Sequence, residues 1–241
     1  MVKNLLTVTE AAEYVGVSAQ TLRRWHNKGS FRASFVGPGC RRLYTPADLE
    51  LLSKGLVQIA KEWVSATTPY QPSPDFYCQT SDVLKARVER LARELEASTG
   101  LRTIGSLVSS VAGEIGNNAF DHNIGNWPDV PGAFFAYDCG KRLLVIADRG
   151  RGVLATLRQV RPAIRNDSEA IHIAFTEVLT GRAPEHRGNG LKYVRKAVDS
   201  SGFKLSFASG NAVLTLLSGQ AGLNIQTSIM PIAGCLVVLK F

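Results

Sequence analysis

Residues 133–152, Ala133-Phe-Phe-Ala-Tyr-Asp-Cys-Gly-Lys-Arg-Leu-Leu-Val-Ile-Ala-Asp-Arg-Gly-Arg-Gly152, decide between two folds. The runs 133–137 and 142–147 are apolar and β-prone, and Asp138-Cys-Gly-Lys141 between them has turn chemistry, so the stretch reads as a hairpin. Gly150, Gly152 and Ala155 also spell G-x-G-x-x-A, with Asp167 or Glu169 near the acidic position of a dinucleotide fingerprint. That fingerprint belongs after a parallel strand in a strand-helix-strand unit, whereas a hairpin strand sits in an antiparallel sheet. The hairpin reading is preferred, and with the helices around it the chain is expected to be α+β.

The second strand ends in Asp148-x-Gly150-x-Gly152. A carboxylate at a strand end accepts from an amine, and the spaced glycines let the backbone come close to a ligand. Upstream, a helix over about 103–122 carries Ile104, Leu107, Val108, Val111, Ile115 and Ala119 as its apolar stripe. Glu114 and Asn118 border that stripe at i, i+4 and are aimed at one place, with Asp121 or His122 one turn on. An earlier amphipathic helix over about 81–97 shows Leu84, Val88, Leu91 and Leu95. Downstream, Thr180-Gly-Arg-Ala-Pro-Glu-His-Arg-Gly-Asn-Gly-Leu191 is a glycine-rich loop opening a helix, and free amides there suit phosphate. Four strands, 204–209, 212–217, 223–229 and 235–241, are expected to complete the sheet.

Together, Glu114-x-x-x-Asn118, Asp148-x-Gly150-x-Gly152 and Gly188-Asn189-Gly190-Leu191 resemble the three nucleotide motifs of the GHKL ATPase superfamily, over about residues 76–241. The resemblance implies a Bergerat-type α/β sandwich, with helices on one face of a mixed, mainly antiparallel sheet. It implies ATP and Mg²⁺ as cofactors. Asn118 would ligate the metal, Asp148 would bind the adenine amine, and Gly150 and Gly152 would admit the purine. Gly188, Asn189, Gly190 and Leu191 would lie at the phosphates, with His122 at the end of the first motif. The segment between Gly152 and Gly188 would be a mobile lid carrying Arg182 and Arg187 toward the γ-phosphate. Glu114 takes the catalytic position, that of a general base on water or on a hydroxyl. Whether nucleotide is hydrolysed, transferred or only bound does not follow from the motifs. A histidine kinase is disfavoured, because His26, His122, His172 and His186 lie outside the one long helix that precedes the core.

Residues 65–75 hold three prolines and no apolar periodicity, so they read as a linker between a 1–64 module and a 76–241 domain. In the first module Thr7-Val-Thr-Glu10 is a capping box opening a short helix, and Ser18 caps a second over 19–27. Residues 30–44 form a hairpin around Gly37-Pro-Gly39, and Thr45-Pro-Ala-Asp48 opens another helix. This order resembles the winged helix-turn-helix of the MerR and phage-excisionase type. The resemblance implies DNA contact by Gln20, Thr21, Arg23 and Arg24 on the second helix and by Arg41 and Arg42 on the wing.

The formal charge is +8, and residues 1–64 hold nine Lys/Arg against five Asp/Glu, half of the excess. Cys40, Cys78, Cys139 and Cys235 lack zinc or disulfide-framework spacing, and a reduced, cytoplasmic protein is expected. No apolar run is long enough to span a bilayer, so a membrane partner is not expected. These readings converge on an ATP-binding transcriptional regulator acting on DNA. The alternative is an anti-sigma-like serine/threonine protein kinase acting on a regulatory protein partner. A homodimer is left open, with helix 81–97 as its candidate interface.

Overall fold

The computed structural model describes residues 5–15, 17–29, 31–178, 189–220 and 222–241, and the chain divides into two compact units at Ile59/Ala60. In the first unit, β1 (Leu6–Thr7) leads into α1 (Val8–Tyr14), followed by α2 (Ala19–Lys28). The capping box forms: Thr7 Oγ1 accepts the Glu10 amide, and the Glu10 carboxylate accepts the Thr7 amide at 2.7 Å. Ser18 Oγ accepts the Thr21 amide at 3.0 Å, and α2 stops on Gly29 with φ +73°. The hairpin is β2 (Phe35–Gly37) and β3 (Arg41–Tyr44), joined by a turn in which Gly39 has φ +70°; the sheet order is β1-β3-β2. Thr45 caps α3 (Pro46–Lys54), and the Asp48 carboxylate accepts the hydroxyls of both Thr45 and Ser34, fixing the wing to that helix. Ala11, Ala12, Leu22, Tyr44 and Leu49 form the core of this unit.

Helix α4 (Leu56–Ser65) carries the chain across the division. The division precedes residue 64, the expected end of the first module, because the end of α4 is held within the second unit. The Trp63 ring packs on Phe134 at 6.3 Å, and its carbonyl accepts Arg149 Nη1 at 2.6 Å. Residues 66–73 have no regular structure, yet the linker is not wholly free. Trp63 Nε1 donates to the Tyr70 carbonyl at 2.8 Å, and Arg87 donates to the carbonyls of Pro74 and Asp75, both at 2.6 Å.

The second unit runs β4 (Tyr77–Cys78), α5 (Ser81–Ala97), α6 (Arg102–Asp121), β5 (Ala133–Asp138), β6 (Leu143–Asp148), α7 (Gly152–Arg158), α8 (Asp167–Thr176), α9 (Gly190–Ser201), β7 (Lys204–Leu217) and β8 (Asn224–Lys240). The fold is α+β, with a five-stranded sheet of order β4-β5-β6-β8-β7. All its strand pairs among the described residues are antiparallel, in keeping with the mainly antiparallel sheet expected. The last four expected strands are two long ones. Register shifts at Ser209/Gly210 and Gly210/Ala212 absorb as bulges what reads in sequence as turns.

Alternation fixes the face that meets the helices. Phe135, Ile146, Val237 and Phe207 lie directly across the strands from one another, and so do Tyr137, Leu144, Leu239 and Leu205. These rows pack into one core with Leu84, Leu91 and Leu95 of α5, Val108, Val111 and Ile115 of α6, and Val194 and Val198 of α9. Helices α5 and α6 meet closely at Gly116, where a Cβ would lie 2.6 Å from Leu84 Cδ2. No helix among the described residues is long and apolar enough to cross a membrane.

Candidate functional site

The two-residue period that buries Leu144 and Ile146 also puts the last residue of β6, Asp148, on the helix-facing side of the sheet. Its row is Ala133, Asp148, Cys235 and Ser209, one from each of four neighbouring strands. Asp148 is only 6% exposed. Burial drives its carboxyl up to about 7, against the lowering effect of hydrogen bonds from the Gly150 and Cys235 amides. The Gly150 bond is 2.8 Å long. A carboxylate offers about four lone-pair sites, so two accepted amides leave capacity for a ligand amine. Burial, and then the neighbouring Asp148 charge, push the Cys235 thiol well above its usual range.

The turn after Asp148 is clamped from three sides. A Cβ on Gly150 would lie 2.1 Å from Asn123 Nδ2, so only glycine fits there. Asn123 is buried, donates to the Ala119 carbonyl at 2.8 Å and accepts the Arg151 amide at 2.9 Å. Gly152 has φ +73°, and Ser209 Oγ accepts the Val153 amide and donates to the Gly234 carbonyl, each at 3.0 Å. Arg149 points the other way. It donates through Nε and Nη2 to Asp129, at 3.1 and 2.7 Å, and holds the Asp129 carboxyl below its usual range. Among the described residues of the second unit, the buried polar or charged side chains are Asn123, Asp148, Arg149 and Ser209. All four belong to this turn, and each has a hydrogen-bond partner.

The first and third motifs meet at Gly190. Glu114 is exposed and Asn118 half-buried on the border of the α6 stripe. A Cβ on Gly190, the first residue of α9, would lie 2.5 Å from Glu114 Oε2 and 3.7 Å from Asn118 Nδ2. Asn189 caps α9 without a side-chain bond, leaving the first amides of the helix without that partner, and Leu191 packs on the core. The exposed His122 caps the C-terminal end of α6, one turn beyond Asn118, and its carbonyl accepts Arg151 Nη2 at 2.6 Å. The helix therefore reaches from Gly190 to the Asp148 turn. Glu114 and Asp121 are about 10 Å apart along its axis, seven residues at about 1.5 Å each.

Arg182, Arg187 and Gly188 lie outside the described residues. The first part of the expected lid is helical: α7 and α8 pack Leu154 and Leu157 against Ile164, Ala170 and Ile173.

On the first unit, Gln20, Arg23, Arg24 and Arg41 are exposed. Thr21 is half-buried, its hydroxyl 2.9 Å from Ser18 Oγ. Arg42 donates to Asn27 Oδ1 at 2.9 Å, tying the wing to α2, so it has a structural partner besides any phosphate.

The sequence reading missed Asn123, Arg149, Ser209, Gly234 and Cys235. Gly234, φ +66°, would place a Cβ 2.1 Å from the Asp148 carbonyl, and a glycine inside a β-prone run was its one available signal. Ser209 and Cys235 become neighbours of Asp148 only through strand register, which the sequence does not display.

Residues 5–52 match the helix-turn-helix domain family. No curated protein matches the chain. Among solved structures the chain is similar to the ATPase region of topoisomerase II from Saccharomyces cerevisiae. That similarity is 15% in sequence identity with a TM-score of 0.36, over 56% of this chain and 37% of that one. The chain thus spans little more than a third of that neighbour's length.

Proposed function

We propose that the second unit binds Mg-ATP and that the first binds DNA, making the chain a nucleotide-dependent DNA-binding regulator. The observation that carries this reading is the arrangement along α6. Its C-terminal half presents Glu114 and Asn118 to the glycine that opens α9, and its C-cap, His122, is bonded to the turn beneath which Asp148 is buried. A buried carboxylate at a glycine turn suits recognition of a base amine. A glycine at a helix start, facing a carboxylate and an amide, suits phosphate and metal. No group of three or more His, Cys, Asp or Glu among the described residues is placed to hold a metal. In this reading Mg²⁺ would be held by Asn118 together with the phosphates of the nucleotide. The bound nucleotide supplies a phosphoryl group for transfer to water or to a hydroxyl.

In this reading Asp148 accepts from the base, and Asn123 and Ser209 keep Gly150 and Gly152 where a purine can approach. Glu114 takes the proton of the attacking oxygen. The helix-turn-helix domain supports DNA as the partner of the first unit, with Gln20, Arg23, Arg24 and Arg41 as exposed polar surface.

Calorimetry with Mg-ATP tests the site. Wild type should bind, Asp148→Asn should lose binding, and Glu114→Ala should bind without releasing phosphate. Normal binding by Asp148→Asn would refute the base assignment. Phosphate release in the absence of protein substrates favours an ATPase, whereas label retained on an added protein favours the serine/threonine kinase alternative.

A further inference from the structure

A concavity lined by none of the residues of the Asp148 turn lies between the end of α8, α9 and the far end of β7. Its volume is about 310 Å³, and its lining includes Phe175, Lys192, Arg195, Lys196, Asp199 and Leu216. That size is near the roughly 300 Å³ lower limit of ordinary small-molecule pockets.

The apolar lining open to a ligand is Leu217, which is 43% exposed; Phe175, Val198 and Leu216 also line the cavity but are buried, and Phe175 lies edge-on to Phe207 at 5.2 Å. The rim is basic, because α9 places Lys192, Arg195, Lys196 and Asp199 on one side at i, i+3, i+4 and i+7. Three cations against one carboxylate leave a formal +2 (3 − 1) around the cavity. The carboxylate is already engaged: Asp199 Oδ1 accepts the Gly219 amide at 2.9 Å, at the turn after β7. Lys192 Nζ donates to the Glu177 carbonyl, and burial lowers its pKa.

That leaves Arg195, half-buried, and Lys196 with no hydrogen-bond or ion-pair partner among the described residues. A half-buried guanidinium is ordinarily paired, since it gives up hydration without recompense otherwise. We infer that this cleft is a binding site for a small organic anion, a phosphate monoester or carboxylate whose charged end pairs with Arg195 and Lys196 while a short apolar body rests on Leu217. A nucleic-acid backbone fits less well, because it has no apolar part to lie against Leu217. The site is independent of the proposed nucleotide site, although it lies on the helix whose first residue faces Glu114.

The test uses phenyl phosphate as the probe, with amide NMR on the full chain. Saturable shifts should centre on Arg195, Lys196 and Gly219. The double variant Arg195→Gln/Lys196→Gln should weaken binding about tenfold or more with its thermal midpoint unchanged, and Asp148→Asn should bind the probe normally. Lys196→Gln alone, at an exposed position, should weaken it less and guards against a folding defect in the double variant. Equal affinity in the double variant overturns the inference. So do shifts centred on residues 148–153, or displacement of the probe by duplex DNA. Inorganic phosphate binding as tightly as phenyl phosphate would overturn the role of Leu217 as an apolar contact.

Discussion

Gly190 faces the Glu114 carboxylate so closely that a methyl group there would lie 2.5 Å from Oε2. The obstructed atom is the end of a flexible, exposed side chain, so Gly190→Ala should displace the carboxylate and leave the fold intact. At the start of α9 alanine should if anything stabilise the helix, by up to about 1 kcal/mol. If Glu114 is the general base of a nucleotide-hydrolysing site, phosphate release should fall about a hundredfold or more, with an unchanged or raised thermal midpoint. Unaltered turnover in a folded Gly190→Ala protein would separate Glu114 from the chemistry.

Asp148 should make both stability and ligand affinity depend on pH, in opposite senses. Its folded pKa, about 7, lies above the ordinary 3.8, so the folded chain binds the extra proton between those values. Its contribution to stability is then full below the unfolded pKa and is lost as pH rises through the folded one. Asp148→Asn cannot ionise, so its thermal midpoint should gain on wild type from pH 5 to pH 8. Adenosine has no group titrating near neutrality. If it requires the ionised carboxylate, wild type should bind it about tenfold more tightly at pH 8 than at pH 6. A flat affinity profile would mean that adenosine binding does not require the ionised form of Asp148.

These dependencies explain how much of the site could be read from the sequence. Glu114, Asn118 and Asp148 announce themselves because helical spacing and strand-end position act over a few residues. The capping box at Thr7, the cap at Ser18 and the start of α3 at Pro46 were legible for the same local reason. Ser209 and Cys235 lie some 60 to 90 residues beyond Asp148 and meet it through the register of β6, β8 and β7. Asn123 looks like an ordinary residue after a helix until its carboxamide fills the space beside Gly150. Bulges misled in the same way: Gly210 suggests a turn, yet the strand continues past it because the Asp167 carboxylate accepts the Asn211 amide at 3.1 Å.

Arg149 and Asp129 form a largely buried bidentate pair, with side chains 4% and 23% exposed. Removing one partner leaves the other charge without compensation, which typically costs about 3 to 5 kcal/mol. Asp129→Asn should therefore lower the urea-unfolding free energy by about 3 kcal/mol. Arg149→Met leaves the Asp129 carboxylate unpaired and forfeits the bond to the Trp63 carbonyl, but that carboxylate is 23% exposed and keeps some hydration, so the cost should be smaller. The hydrogen bonds from Arg149 depress the Asp129 carboxyl, so its stabilising contribution is present above the unfolded pKa and lost as pH falls through the folded value. The acid limb of the stability profile should flatten in Asp129→Asn, and an unchanged limb would assign acid sensitivity to other carboxylates.

Arg23 and Arg24 should be separable from Arg42 in DNA binding. Both are exposed on α2, while Arg42 donates to Asn27. Each arginine that neutralises a phosphate releases counterion, so Arg23→Ala/Arg24→Ala should lower the salt slope of log K by about 2 without destabilising the protein. Arg42→Ala removes a tie between β3 and α2 as well as a charge. It should lower the thermal midpoint together with the affinity. Fluorescence anisotropy on a random-sequence duplex at several salt concentrations reads the slope. If the slope of the double variant equals that of wild type, α2 does not face phosphate, and the helix-turn-helix unit engages its partner through another surface.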